Sequence, residues 1–145
     1  MRVLGKWLLC DDGVTRPAVL VHVFDVDGKA HHEIFLVDSL ADRTVLTGTL
    51  LGKLRLPTRT LGEGFALVGI GGVQEAVIIA TRLELVRDDG VPISVSGEFT
   101  AFVDNRAADM SVLGRDVLNN FDMILSWRNK EVLLLAPNHR YTVTQ

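Results

Sequence analysis

The stretch Asp38-Ser39-Leu40-Ala41-Asp42-Arg43-Thr44-Val45-Leu46 holds the side chains best placed for chemistry. It follows Ile34-Phe35-Leu36-Val37, an apolar run with the length and composition of a buried strand. An aspartate at the end of such a strand, followed by a serine and a tight turn, presents a carboxylate that can take a proton from water or give one to a substrate oxygen. A weaker echo occurs at Val103-Asp104-Asn105, again strand then aspartate, but Arg106 follows with no small turn residue, so Asp104 reads as loop. Other constellations carry less. His22, His31, His32 and Glu33 suggest a metal site only at first sight: His31 and His32 are adjacent, so on a strand they face opposite sides. No Cys-x-x-Cys or His-Glu-x-x-His pattern occurs, and a solvated hairpin edge is the better reading, with no metal. Gly69-Ile70-Gly71-Gly72 lacks the Gly-Lys-Ser/Thr of a phosphate loop, and Ser39, Ser94, Ser96, Ser111 and Ser126 lack the Gly-x-Ser-x-Gly setting of a hydrolase nucleophile.

The elements that must position Asp38 are mostly strands. Ala18 to Phe24 is rich in β-branched residues, Asp27-Gly28 is a hairpin signal, and Ala30 to Val37 returns as the partner strand. Arg43 to Leu56 is mixed, with Gly48 and Gly52 inside it and Pro57 at its end. Phe65 to Val68 leads into the glycine cluster at 69–72, and Glu75 to Val86 leaves it. Asp89-Gly90 turns the chain into a strand from Val91 to Val103. Leu113 to Phe121 is the helix candidate, with Val117, Leu118 and Phe121 at helical spacing and Asp116 in the first turn. Ile124 to Trp127 and Glu131 to Leu135 read as closing strands, which with Met1 to Leu4 are candidates for pairing between subunits. Trp7 and Trp127 read as core or interface aromatics.

The bulk numbers bound the function classes. A length of 145 residues without a linker or repeat predicts one domain, 1–145, and 48% apolar against 23% charged composition is that of a globular chain with a real core. A net charge of −3 with no basic patch argues against nucleic acid as a partner. The apolar start from Met1 to Cys10 is broken by Lys6 and followed by Asp11-Asp12, too short for a signal-peptide core or a membrane span. The single cysteine, Cys10, cannot form an internal disulfide, which suits a reducing compartment. A soluble cytoplasmic protein with no membrane contact is the expectation.

Three pieces, in order, resemble the retropepsins, the homodimeric aspartic proteases typified by retroviral enzymes and known also as bacterial retropepsin-like domains. The first runs from Arg16-Pro17-Ala18-Val19-Leu20-Val21 through the Asp27-Gly28 hairpin to Asp38-Ser39-Leu40-Ala41-Asp42-Arg43-Thr44. The second, Val68-Gly69-Ile70-Gly71-Gly72-Val73, looks like the tip of the family's flap. The third, Ser111-Val112-Leu113-Gly114-Arg115-Asp116-Val117-Leu118, is similar to the stretch that opens the family's single helix. The resemblance implies an all-β, barrel-like acid-protease fold with one short C-terminal helix, that is, a retropepsin protomer.

It also implies a function: an aspartic endopeptidase in which Asp38 of each of two chains shares one proton across a homodimer axis, acting on peptide or protein substrates without a cofactor. By the same resemblance Ser39, Leu40, Ala41, Asp42 and Arg115 support the catalytic loop, Asp42 and Arg115 as an ion pair bracing it against the helix. Gly69, Ile70, Gly71, Gly72 and Val73 form the flap over substrate. The departure is Leu40, where the family carries glycine. A Cβ there adds bulk and disfavours positive φ if the turn needs it. Either the loop is re-shaped, or activity is weakened or lost, or the leucine was introduced. The alternative function is therefore a catalytically weak or inactive dimer that acts as a peptide-binding or structural module.

Overall fold

Strands whose burial alternates residue by residue build the body of the molecule. The computed structural model describes residues 1–60, 67–69, 72–137, 142 and 144. Its elements are β1 (Arg2–Leu4), β2 (Lys6–Leu9), β3 (Thr15–Phe24), β4 (Ala30–Val37), β5 (Val45–Leu46), α1 (Gly48–Leu54), β6 (Thr58–Thr60), β7 (Leu67–Gly69), β8 (Gly72–Gln74), β9 (Ala76–Val86), β10 (Pro92–Phe102), β11 (Ser111–Leu113), α2 (Arg115–Leu118), β12 (Asp122–Ser126) and β13 (Glu131–Leu135). In β3, Val19, Val21 and Val23 point into the core while Leu20 between them is exposed, the period of a half-buried strand. The hairpins expected at Asp27-Gly28 and Asp89-Gly90 join β3 to β4 and β9 to β10.

Strands β3, β4, β11, β5, β10 and β9 pair in that order, and β3 pairs β9 through His22↔Glu84 and Val23↔Leu83 to close a six-stranded barrel. β2 continues outward from β3 and β6 from β9. Val21, Phe35, Leu46, Leu83, Leu85, Phe99 and Leu113 belong to one buried cluster inside it. Closure removes sheet edges that would otherwise invite further pairing.

A second sheet has the order β1-β13-β12. Arg2, Val3 and Leu4 pair with Leu135, Leu134 and Leu133 of the same chain, so the terminal segments expected as candidates for pairing between subunits meet within one protomer. This sheet is latched to the barrel. The Gly5 amide donates to the Val132 carbonyl at 2.7 Å, and Trp7 Nε1 donates to the carbonyls of Ser126 at 3.1 Å and Glu131 at 3.2 Å. Trp127 sets its ring edge-on to Trp7, with centroids 5.1 Å apart.

The expected C-terminal helix is a single turn, α2, because Leu113 is taken into β11 and the chain leaves through tight turns at Asn120 and Phe121. Val117, Leu118 and Phe121 are buried together as their spacing predicts. A further helix, α1, forms where a mixed stretch was expected. Thr47 caps it, accepting a hydrogen bond from the Leu50 amide at 3.2 Å, and Leu50 and Leu54 are fully buried. Gly48 is needed there for space: a Cβ would lie 2.8 Å from the Asp104 carbonyl. Burial of two leucines and a cap outweigh the low helix propensity of Gly48 and Gly52.

Candidate active site

The topology around β11 explains how Asp38 is presented. β11 lies between β4 and β5, parallel to β4 (Leu113↔Val37) and antiparallel to β5 (Val112↔Val45). The chain leaving β4 must therefore cross the end of β11 before it can start β5. Residues 38–44 make that crossing, directly over Gly114. A Cβ at Gly114 would stand 2.4 Å from the Arg43 carbonyl carbon and 2.5 Å from its oxygen, so only glycine permits the approach. Backbone bonds tie the crossing to the segment below: Asp38 N to Leu113 O at 3.1 Å, Arg115 N to Ala41 O at 2.8 Å, and Asp116 N to Asp42 O at 3.3 Å. The last two come from the first turn of α2, whose amides have no partner within the helix.

Thr44 and Asp116 complete the clamp. Thr44 is 0% exposed. Its amide donates to both carboxylate oxygens of Asp116, at 2.9 and 3.0 Å, and its hydroxyl donates to Asp116 Oδ1 at 2.7 Å. The same hydroxyl accepts from the Gly114 amide at 3.0 Å. These residues lay outside the sequence-derived site. The signal was present in Ala-Asp-Arg-Thr and Gly-Arg-Asp, but it takes the crossing of the two segments to show that their last members meet.

On this base sits a tight turn. The Ala41 amide donates to the Asp38 carbonyl at 3.2 Å, and the Leu40 amide donates to Asp38 Oδ1 at 3.0 Å, an Asx-type arrangement. Asp38 is half-buried, and among the described residues none donates to its Oδ2. Ser39 is exposed, and Leu40 is 90% exposed, the highest value among the exposed large apolar residues. Positive φ among described non-glycine residues is confined to Arg55 and Lys130, so this turn does not ask Leu40 for the left-handed conformation that a glycine would supply.

Asp42 and Arg115 do pair, but at the surface: their side chains are 77% and 53% exposed. The pair therefore contributes roughly 0–1 kcal/mol, well short of what a buried brace would supply. The bracing comes from the backbone bonds and Asp116 instead. Gly69, Gly72 and Val73 lie in a two-stranded antiparallel hairpin, with Gly69↔Gly72 and Val68↔Val73 paired. Ile70 and Gly71 lie outside the described residues.

The histidines are used elsewhere. At the opposite end of β4, Asp25 is buried and accepts from the amides of Asp27 and Lys29, each at 2.9 Å, and from His31 Nε2 at 2.9 Å. The His31 hydrogen bond first, and the two amides, lower the Asp25 pKa to about 2, against an opposing push from burial. His22 and His32 stack with centroids 4.1 Å apart. Among the described residues no group of three or more His, Cys, Asp or Glu is arranged to hold a metal ion, and no helix is long and apolar enough to cross a membrane.

No protein-family model matches the chain, and no curated protein matches it. Solved structures do. The chain is similar to a retropepsin-like aspartic protease from Rickettsia conorii, at 19% identity and a TM-score of 0.56, covering 92% of this chain and 90% of that one. It is also similar to the EIAV protease complexed with the inhibitor HBY-793, at 21% identity and a TM-score of 0.49, covering 72% and 86%. The rickettsial likeness shows the fold: this is a retropepsin-like aspartic-protease fold, mostly β around a six-stranded barrel.

Proposed function

We propose that two copies of this chain form an aspartic endopeptidase. The observation that carries the reading is the Asp38 carboxylate, placed by the β4–β11–β5 crossing on a braced turn with one oxygen pinned and no donor to the other among the described residues, in a retropepsin-like fold. One chain supplies one such carboxylate, so the second comes from the partner's Asp38 across a two-fold axis. Two carboxylates in contact cannot both ionise and hold one proton between them. The ionised member takes a proton from water, the water attacks the peptide carbonyl, and the protonated member gives its proton to the carbonyl oxygen.

Ser39, exposed beside the carboxylate, hydrogen-bonds across the axis, and Ala41 and Asp42 hold the turn through α2. The flap, expected at Gly69, Ile70, Gly71, Gly72 and Val73 by the family resemblance, closes over an extended peptide and excludes water from the reaction. No cofactor takes part. Residues 1–145 act as one domain, and the single cysteine fits a cytoplasmic setting.

The second reading is a dimeric peptide-binding or structural module without turnover, favoured by an exposed leucine next to the carboxylate. Cleavage of a peptide library by the native chain, Leu40→Gly and Asp38→Asn separates the two. The protease reading expects cuts by the native chain and none by Asp38→Asn. A silent native chain rescued by Leu40→Gly supports the module, and silence from both with a monomeric chain removes the catalytic reading.

A further inference from the structure

The strand register gathers three side chains of metal-ligating type that lie far apart in the sequence. His22 on β3 stands opposite His32 on β4 and, on its other side, opposite Glu84 on β9. Val21 and Val23 beside His22, and Leu83 and Leu85 beside Glu84, are buried in the barrel, so His22 and Glu84 point to its outer face. His32 is exposed, and its ring stacks on that of His22 with centroids 4.1 Å apart and planes 16° from parallel. His22 Nδ1 is 3.7 Å from Glu84 Oε1, too long for a hydrogen bond. Two donors on one tetrahedral zinc ion, each about 2.0–2.1 Å from it, stand about 3.4 Å apart. The histidine–carboxylate separation is therefore close to that of two ligands of one ion. In the conformation of the structure the three groups do not meet at one point. The movement that brings them together is a rotation of His32, the exposed member, whose terminal ring torsion is soft.

We propose that His22, His32 and Glu84 bind one divalent late transition-metal ion, of which zinc(II) is the probe, and that the ion staples β4, β3 and β9 together. Imidazole and carboxylate are suitable ligands for such an ion, and three of them leave a fourth position for water. Ser94 on β10 donates to Glu84 Oε2 at 3.4 Å and orients the carboxylate from behind. Arg82, two residues before Glu84 on the same face of β9, lies over the Phe24 ring, 3.9 Å from its centroid. The location gives the ion a structural role. β3 and β9 meet through two residue pairs, His22↔Glu84 and Val23↔Leu83, and this seam closes the barrel. An ion held from both sides of the seam is bound by the folded chain and not by the unfolded one, so binding stabilises the fold.

Isothermal titration calorimetry of the tag-free chain with zinc chloride reads stoichiometry and affinity, and thermal unfolding with and without zinc reads the staple. The expected result is one saturable ion per chain, with a dissociation constant raised at least about tenfold in each of His22→Ala, His32→Ala and Glu84→Gln. At zinc about 100 times the native dissociation constant, the native Tm rises by about 5–10 °C, and the Tm of each variant rises by about half as much or less. Circular dichroism without zinc shows that each variant is folded, and His32, being exposed, is the variant least able to disturb the core. Absence of saturable binding up to about millimolar zinc overturns the proposal. Binding undiminished in His32→Ala or in Glu84→Gln overturns it too, because the ion then sits elsewhere or does not bridge to β9. Zinc that binds and leaves the native Tm unchanged or lowered overturns the staple. None of these readouts involves Asp38 or peptide cleavage, so the result is independent of the protease reading.

Discussion

Replacing Thr44 by valine tests whether the site turn is held from below by the Thr44–Asp116–Gly114 clamp. Valine keeps the shape of the side chain and the amide that donates to Asp116, and removes only the hydroxyl. Two interactions go with it: the 2.7 Å bond to Asp116 Oδ1, and the acceptor for the buried Gly114 amide. A hydrogen bond to a charged group contributes about 1.5–3 kcal/mol, and an unsatisfied buried amide costs about 1–3 kcal/mol. The added methyl, buried at a site with 0% exposure, returns about 1 kcal/mol. The net loss is about 1.5–5 kcal/mol, or about 4–15 °C in Tm for a domain of this size. Thermal unfolding followed by far-ultraviolet circular dichroism measures it. Thr44→Ser keeps both hydrogen bonds, loses one methyl, and is expected to fall by only about 1 kcal/mol. A Thr44→Val protein within about 2 °C of native, or a serine variant as damaged as the valine one, would refute the clamp.

Gly114→Ala forces a Cβ to within 2.5 Å of the Arg43 carbonyl, and we expect the crossing to shift, with a loss of more than about 3 kcal/mol in urea unfolding and no cleavage in a peptide assay. Arg115→Ala removes only an exposed ion pair and is expected to cost less than about 1 kcal/mol by the same unfolding curves; a larger loss would mean that the pair, not Asp116, braces the turn. Asp25 has a folded pKa of about 2 against an ordinary 3.8, so its contribution is present above pH 4 and is lost as pH falls from there toward 2. Tm measured against pH in that window should fall less steeply for Asp25→Asn than for the native chain, and equal slopes would exclude Asp25 as a source of acid sensitivity. Trp7→Phe deletes the donor shared by the Ser126 and Glu131 carbonyls and is expected to lower Tm by about 3 °C through loosening of the terminal sheet.

How much of this was legible in the sequence depended on the range of the interactions. Alternation along β3 and β4 and the two Asp-Gly turns are local signals, and four of the six barrel strands, β3, β4, β9 and β10, were readable from them, whereas the short β5 and β11 were not. Asp38 at the end of an apolar run was legible for the same reason. Helix α1 was not, because its two glycines mask a helix held by burial of Leu50 and Leu54 and by the close approach of Gly48 to Asp104. The clamp was half visible: Gly114, Arg115 and Asp116 stood out as a motif, but the link to Thr44 joins positions 72 residues apart and exists only because β11 inserts between β4 and β5. The pairing of Asp42 with Arg115 was legible, but its exposure, which limits what the pair contributes, is not something a sequence reveals. The strain considered for Leu40 depended on whether the turn needs positive φ, which the sequence left open, and this turn does not use one.

The claim at the centre of the account is that the carboxylates of two copies act as one catalytic unit. Mixing the native chain with Asp38→Asn at fixed total concentration, with time for subunits to exchange, tests it through the rate of peptide cleavage. If each active unit needs Asp38 from both chains, the rate follows the square of the native fraction and falls to about one quarter in an equal mixture. A rate that falls in proportion to the native fraction, to about one half, would show that each chain cuts alone and would contradict the shared dyad.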